Sequence, residues 1–438
     1  MKEMKDSGLD WIGAIPVNWN IVPIKTVATC FGRIGFRGYT TEDLVDEGDG
    51  PITLSPTNIV DSKINLNKCS YLSWEKYYES PEIMVYPQDI IFVKTASVGK
   101  CAIYDSKELA TINPQFVVFK DLKCNNRFLF YCLISDIVQG QIGLNNIGGV
   151  ISTITQKNIL NYKICIPSLN EQLRIADYLD LKCSQIDSII SKQEAIIEKL
   201  KEYKLSVITE TVTKGVNSNV EMKDSGVEWI SDIPIDWDEI KLKNCSYIRA
   251  RLGWKGLKAD EYVEEGYPLL SAFNIVNSKI DFENNINFIN QERYDESPEI
   301  KLSEGDILLV KDGAGIGKCG IVENLPVPST TNGSLAVITT DMKIESKFLY
   351  YYFLSSVFQR YIDRIKDGMG VPHLFQSDLR EITIVLPPSD EQQLIIKYLD
   401  EKVDKVDVKI ELATSMIGKL NEYKKSLIYE VVTGKMEV

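Results

Sequence analysis

One histidine, His373, stands in a chain of 438 residues. That scarcity excludes histidine-rich metal sites and any Ser-His-Asp machinery occurring in more than one place. Nine cysteines are scattered without a CxxC pair, a pattern of reduced thiols in a cytoplasm rather than of a disulfide framework. No apolar run approaches the roughly 18 residues of a membrane span. The N-terminus, MKEMKDSGLDW, is charged and has no signal-peptide core. Positive charge is also in deficit. The net charge is −13, so any nucleic-acid surface must be a local patch on an acidic body. The deficit is uneven: −1 over residues 1–166 and −9 over 217–386. What is present, 44% hydrophobic and 25% charged residues, describes a globular chain long enough for two to four domains.

The chain is written twice. KDSGLDWIGAIPVNW (Lys5–Trp19) returns as KDSGVEWISDIPIDW (Lys223–Trp237), and RIGFRG (Arg33–Gly38) as RLGWKG (Arg251–Gly256), each at an offset of 218. Glu171–Gln172 recurs as Glu391–Gln392, and KLKEYKLS as KLNEYKKS, at 220. Each copy is domain-sized, far longer than a solenoid repeat. Its first part mixes β-rich runs such as DIIFVK and DILLVK with short helical patterns. Its second part reads as a long helix opening after a proline, with capping boxes expected at Ser168/Glu171 and Ser389/Gln392.

Those helices carry apolar stripes at nearly heptad spacing. In one they are Ile175, Leu179, Ile186, Ile189, Ile196, Leu200, Tyr203 and Val207. In the other they are Ile395, Leu399, Val406, Ala413, Met416, Leu420, Tyr423 and Leu427. The stripe persists too far to stay over one globular part, so helix is expected against helix. The expected layout is an α+β chain of two mixed globular domains, 1–166 and 217–386, each followed by a helix, 167–216 and 387–438.

Glycine-rich LLVKDGAGIGKCGIV (Leu308–Val322) invites reading as a phosphate loop. The required earlier glycine is Asp312, the Ser/Thr that would hold magnesium is Cys319, and CGIV reads as a second strand. The counterpart IFVKTASVGKCAIY keeps only Gly99 and Lys100. Both segments read as strand-to-strand turns. Their lysines, Lys94, Lys100, Lys311 and Lys318, either contact phosphates or stand solvated on a plain hairpin. NPQF (Asn113–Phe116) lacks the second proline of the NPP[FY] motif of amino-methyltransferases, and TNGS replaces it in the second copy. No catalytic constellation emerges.

The repeated Arg-x-Gly-aromatic-basic-Gly pattern is a better candidate. Arg33, Phe36 and Arg37 match Arg251, Trp254 and Lys255, and Arg249 and Lys258 add charge in the second copy. Guanidinium groups bind guanine edges or phosphates. The other reading is of arginines paired with local acids.

DSGLDWIGAIPVNW, DSGVEWISDIPIDW, IPSLNEQLRIADYLD, LPPSDEQQLIIKYLD and the KEYK…VTKG and NEYK…VTGK helix ends make the whole chain resemble the specificity subunit of type I restriction-modification systems. The resemblance implies two target-recognition domains, each reading half of a split double-stranded DNA site. It implies an antiparallel coiled coil that fixes the gap, and two modification (methyltransferase) subunits docked on the helices, with restriction subunits joining for cleavage. S-adenosylmethionine is then expected on the methyltransferase partner, with neither cofactor nor catalysis in this chain. A nuclease or methyltransferase in its own right, or a coiled-coil scaffold without DNA, are the competing classes.

Overall fold

The run Ile90–Val93 is apolar at every position because both its faces are covered. Side chains alternate across a strand. Ile91 and Val93 enter a core between two sheets, whereas Ile90 and Phe92 enter a second core beneath the helices. Ile307–Val310 divides its residues in the same way in the second copy. The structure is a computed structural model and describes residues 3–145, 152–217, 219–230, 232–251, 257–313, 315–365 and 373–438.

In the first copy this strand is central in an antiparallel four-stranded sheet ordered Cys101–Ile103, Ile90–Val93, Phe116–Lys120, Thr29–Phe31. The second copy repeats it with Cys319–Ile321, Ile307–Val310, Leu335–Thr340 and Ser246–Arg249. A second sheet lies over one face, with Ile52–Leu54 parallel to Ala110–Ile112 and Tyr267–Leu270 parallel to Thr330–Thr331. Helices Asn126–Ile134 and Ser346–Leu354 bury Phe128, Leu129, Phe348 and Leu349 against the other face. Each globular part ends on a strand, Lys163–Ile166 or Thr383–Leu386, that pairs with Asn20–Pro23 or Asp238–Lys241.

The long helices are Leu169–Lys214 and Ser389–Val432. Neither forms a body of its own. One compact unit comprises Met1–Gln193 with Ser415–Val438, the other Glu194–Thr414. In the first, Ile175, Leu179 and Ile186 of the central helix share a core with Leu427, Ile428, Val431 and Val432 of the C-terminal helix. In the second, Ile208 and Val212 join Ile395, Leu399 and Val403. The helices run antiparallel in each unit. Lys424 donates to Asp187 in one, and Lys204 to Asp407 at 2.7 Å in the other. These are the same two positions of the repeat with the copies exchanged.

Two expectations are corrected here. The apolar stripe is wider than the seam: Ile189, Ile196, Tyr203, Met416 and Tyr423 are 40–54% exposed. A lone pair of helices covers only one side of each, and burial on a broader arc occurs only where a globular part adds a third surface. The capping boxes also differ. Ser168 caps as expected, with its Oγ accepting from the Glu171 N–H at 3.4 Å, but Ser389 is already inside the helix. The repeated Glu-Gln pairs serve the domains instead. Trp19 Nε1 donates to Glu171 at 3.1 Å and Trp237 Nε1 to Glu391 at 2.8 Å. Gln172 accepts from the Asn125 N–H, and Gln392 from the Glu345 N–H, both at 2.8 Å. The motifs [DE]W-x-x-x-IP-x-[ND]W and EQ are thus two halves of one lock between globular part and helix.

Candidate nucleic-acid interface

The glycine-rich segments are hairpins. Leu309 pairs with Cys319, and Phe92 with Cys101. Gly99 and Gly317 have φ of +92° and +87°, and a Cβ on Gly99 would lie 2.4 Å from Gln139 Oε1. The close approach is used: Gln139 Nε2 donates to the Gly99 carbonyl and Gln359 Nε2 to that of Gly317, each at 3.1 Å. These glycines let a turn dock on a helix, which is a different task from cradling a phosphate.

Around each hairpin the same backbone bonds gather the same segments. In the first copy Lys94 N donates to Gln115 O, Ile154 N to Lys94 O, and Asn113 N to Leu54 O, at 2.7–3.0 Å. In the second, Lys311 N donates to Ser334 O, Leu374 N to Lys311 O, and Asn332 N to Leu270 O, at 2.8–2.9 Å. Hairpin, Asn-led loop, the turn after Leu54 or Leu270, and the bridged segment at Ser152–Ile154 or His373–Leu374 therefore form one face in each domain.

Arg33 and Arg251 lie beneath that face, 5% and 6% exposed. Arg33 donates to Ile112 O, Arg37 O and Thr111 Oγ1, each at 3.3 Å, and lies over the Tyr39 ring. Arg251 donates to Thr331 O at 3.1 Å and Ser297 Oγ at 3.2 Å. Burial lowers both guanidinium pKa values from the ordinary value, and Arg293 adds to the effect at Arg251. Both arginines brace loop to sheet. Arg249 is held likewise: it pairs at 2.9 Å with Asp306, whose side chain is wholly buried. Lys311 is buried and held by Asp312 at 2.7 Å.

Other candidates do face solvent. Lys100, Lys258 and Lys318 are exposed and Lys94 is half-buried. Arg37 is half-buried and reaches Glu82 at 3.4 Å. Trp254 and Lys255 lie outside the described residues, as does the side chain of Phe36. Three further side chains belong to this face without a role assigned from the sequence: exposed Phe273 and Phe375, and His373, whose Nδ1 meets the carboxylate of Asp312. A signal existed in the repeated S-x-x-N of SPTN and SAFN, which frames Phe273. All nine cysteines are free thiols, and burial pushes Cys30 and Cys165 up to about 12. Among the described residues no cluster of His, Cys, Asp and Glu suits a metal, and no helix is long and apolar enough to cross a membrane.

Comparison with known proteins agrees with this architecture. The chain is 28% identical over 436 residues to a putative type I restriction enzyme MjaX specificity subunit of Methanocaldococcus jannaschii, covering 98% of this chain and 96% of that protein. It is 28% identical to the MjaVIII specificity subunit of the same organism, covering 82% and 81%. To the EcoBI specificity subunit of Escherichia coli it is 21% identical, covering 99% and 90%. A structure solved in work on complex assembly and conformational transition of the type I R-M system superposes with a TM-score of 0.70 at 16% identity, covering 96% of this chain and 99% of that one. The type I restriction modification DNA specificity domain matches twice, at residues 16–202 and 234–414, and with two such domains in tandem the chain belongs to the family of type I restriction-modification specificity subunits.

Proposed function

We propose that each globular domain reads one half of a bipartite double-stranded DNA site, that the paired helices set the gap between the halves, and that the chain performs no catalysis. The observation that carries this reading is the face built identically in both copies by equivalent backbone bonds. Such a frame holds loops still while their side chains differ. Lys100 and Lys318 on the hairpins supply phosphate contacts that set register, and the loop tips supply base contacts. The acid-rich body, at −13 overall, leaves much of the phosphate binding to partners. Those partners are two methyltransferase subunits docked on the helices, which bring S-adenosylmethionine, with restriction subunits joining for cleavage. The complex then works in the cytoplasm, where its DNA is.

Reconstitution tests the proposal. The purified chain with labelled S-adenosylmethionine and duplex DNA is expected to transfer no methyl group, and transfer is expected when the cognate methyltransferase subunit is added. Methyl transfer or cleavage by the pure chain alone would refute the reading.

A further inference from the structure

Two turns share a frame and differ at the tip. Ser55–Asn58 and Ser271–Asn274 each close with the serine N–H donating to the asparagine Oδ1 at 2.9 Å. Asn58 and Asn274 are almost fully buried. Their amides reach onward to carbonyls of the next hairpin: Asn58 Nδ2 to Asn65 and Lys68 at 3.0 Å, Asn274 Nδ2 to Asn284 at 3.1 Å. The backbone of each turn is thus fixed from inside. Between frame residues stands Thr57 in one copy and Phe273 in the other. Phe273 is 85% exposed, so the fold gains almost nothing from its ring.

Its surroundings place it on the proposed DNA face. Ala272 N donates to Ser334 Oγ at 3.4 Å, Ser334 O accepts from Lys311 N, and Lys311 O accepts from Leu374 N. We propose that Phe273 is a base-contacting, specificity-determining side chain of the second domain, packing on the C5-methyl of a thymine in the half-site that domain reads. The inference rests on the DNA-recognition reading above. An uncharged ring cannot pair with phosphate, and in an intact duplex the base faces are stacked. The apolar group left on the major-groove edge is the thymine methyl. A phenyl ring on a locked turn presents that contact at little entropic cost, since only two side-chain torsions remain. Thr57, whose Oγ1 is already 2.7 Å from Ser55 Oγ, gives the first domain a smaller, partly polar tip at the same place. The two domains therefore read different chemistry from one frame.

The test begins with the methylated motif of the wild-type chain expressed with its methyltransferase. Phe273→Thr and Phe273→Ala are expected to relax one thymine position of the second half and leave the first half unchanged, with melting temperatures like wild type because the side chain is exposed. In binding titrations of the complex, deoxyuridine at that thymine should weaken wild type about fourfold, the worth of one buried methyl, while F273A binds thymine and deoxyuridine DNA equally. A second half that lacks thymine, or an F273A complex that still prefers thymine, overturns the assignment. A wild-type complex with no two-part motif overturns the parent reading as well.

Discussion

Arg33 and Arg251 show how a residue's neighbours decide its role. Sequence alone offers a guanidinium in a glycine-rich loop, the usual material of a base contact. The structure encloses each group in carbonyls and hydroxyls at 3.1–3.3 Å. Charged hydrogen bonds in a buried setting each contribute about 1.5–3 kcal/mol. Arg33→Ala and Arg251→Ala are therefore expected to destabilise their own domains by about 2–4 kcal/mol, read by denaturant unfolding. Any complex that still assembles should methylate the same motif. A changed half-site with unaltered stability would return these arginines to the bases. Nothing in the sequence distinguishes the two outcomes, because Thr111, Ile112, Ser297 and Thr331 lie 46–80 residues away along the chain.

At the scale of elements, the helices were the most legible part of the sequence. Their length, their repeat and the proline before each are local signals. What the heptad pattern leaves open is which arc of the stripe is covered, since that depends on where a third surface arrives. Tyr203 and Tyr423 thus remain exposed while Leu179 and Leu399 are fully buried. The short strands were legible only as apolar runs, because their division between two cores depends on what stacks on each face. Two expectations follow for the helices. Lys204→Asp should weaken the pairing at Asp407 by about 1 kcal/mol, the upper end for an ion pair that solvent still reaches, and Asp407→Lys in the same chain should restore it, as a double-mutant cycle in urea would show. A cycle with no coupling would mean that apolar contacts alone set the register. Four residues added after Lys192 and balanced in the facing helix near Lys419 lengthen each helix by roughly 6 Å. The methylated motif is then expected to keep both halves and widen its gap by one to two base pairs, at about 3.4 Å each. An active variant with an unchanged gap would show that other elements set it.

For the whole molecule, the first domain is completed by the last residues of the chain. Leu427, Ile428, Val431 and Val432 are at most 5% exposed in its core, and Tyr429 donates to the Trp11 carbonyl at 2.9 Å. Each such aliphatic burial is worth about 1.5–3 kcal/mol, so their sum rivals the stability of an ordinary domain. Truncation after Ser426 is expected to unfold residues 1–166 while 217–386 stays protected in hydrogen exchange, because that domain takes the corresponding Ile208 and Val212 from the central helix. Equal protection of both domains would show the terminal residues to be dispensable.

Sequencing the methylated bases of cells that express this chain with its methyltransferase partner tests the account most directly. Two domains with equivalent faces predict a motif of two short, different halves separated by a fixed stretch of unspecified bases, and no such methylation when the chain is withheld. A continuous motif, a gap that varies from site to site, or the same methylation without the chain would contradict it.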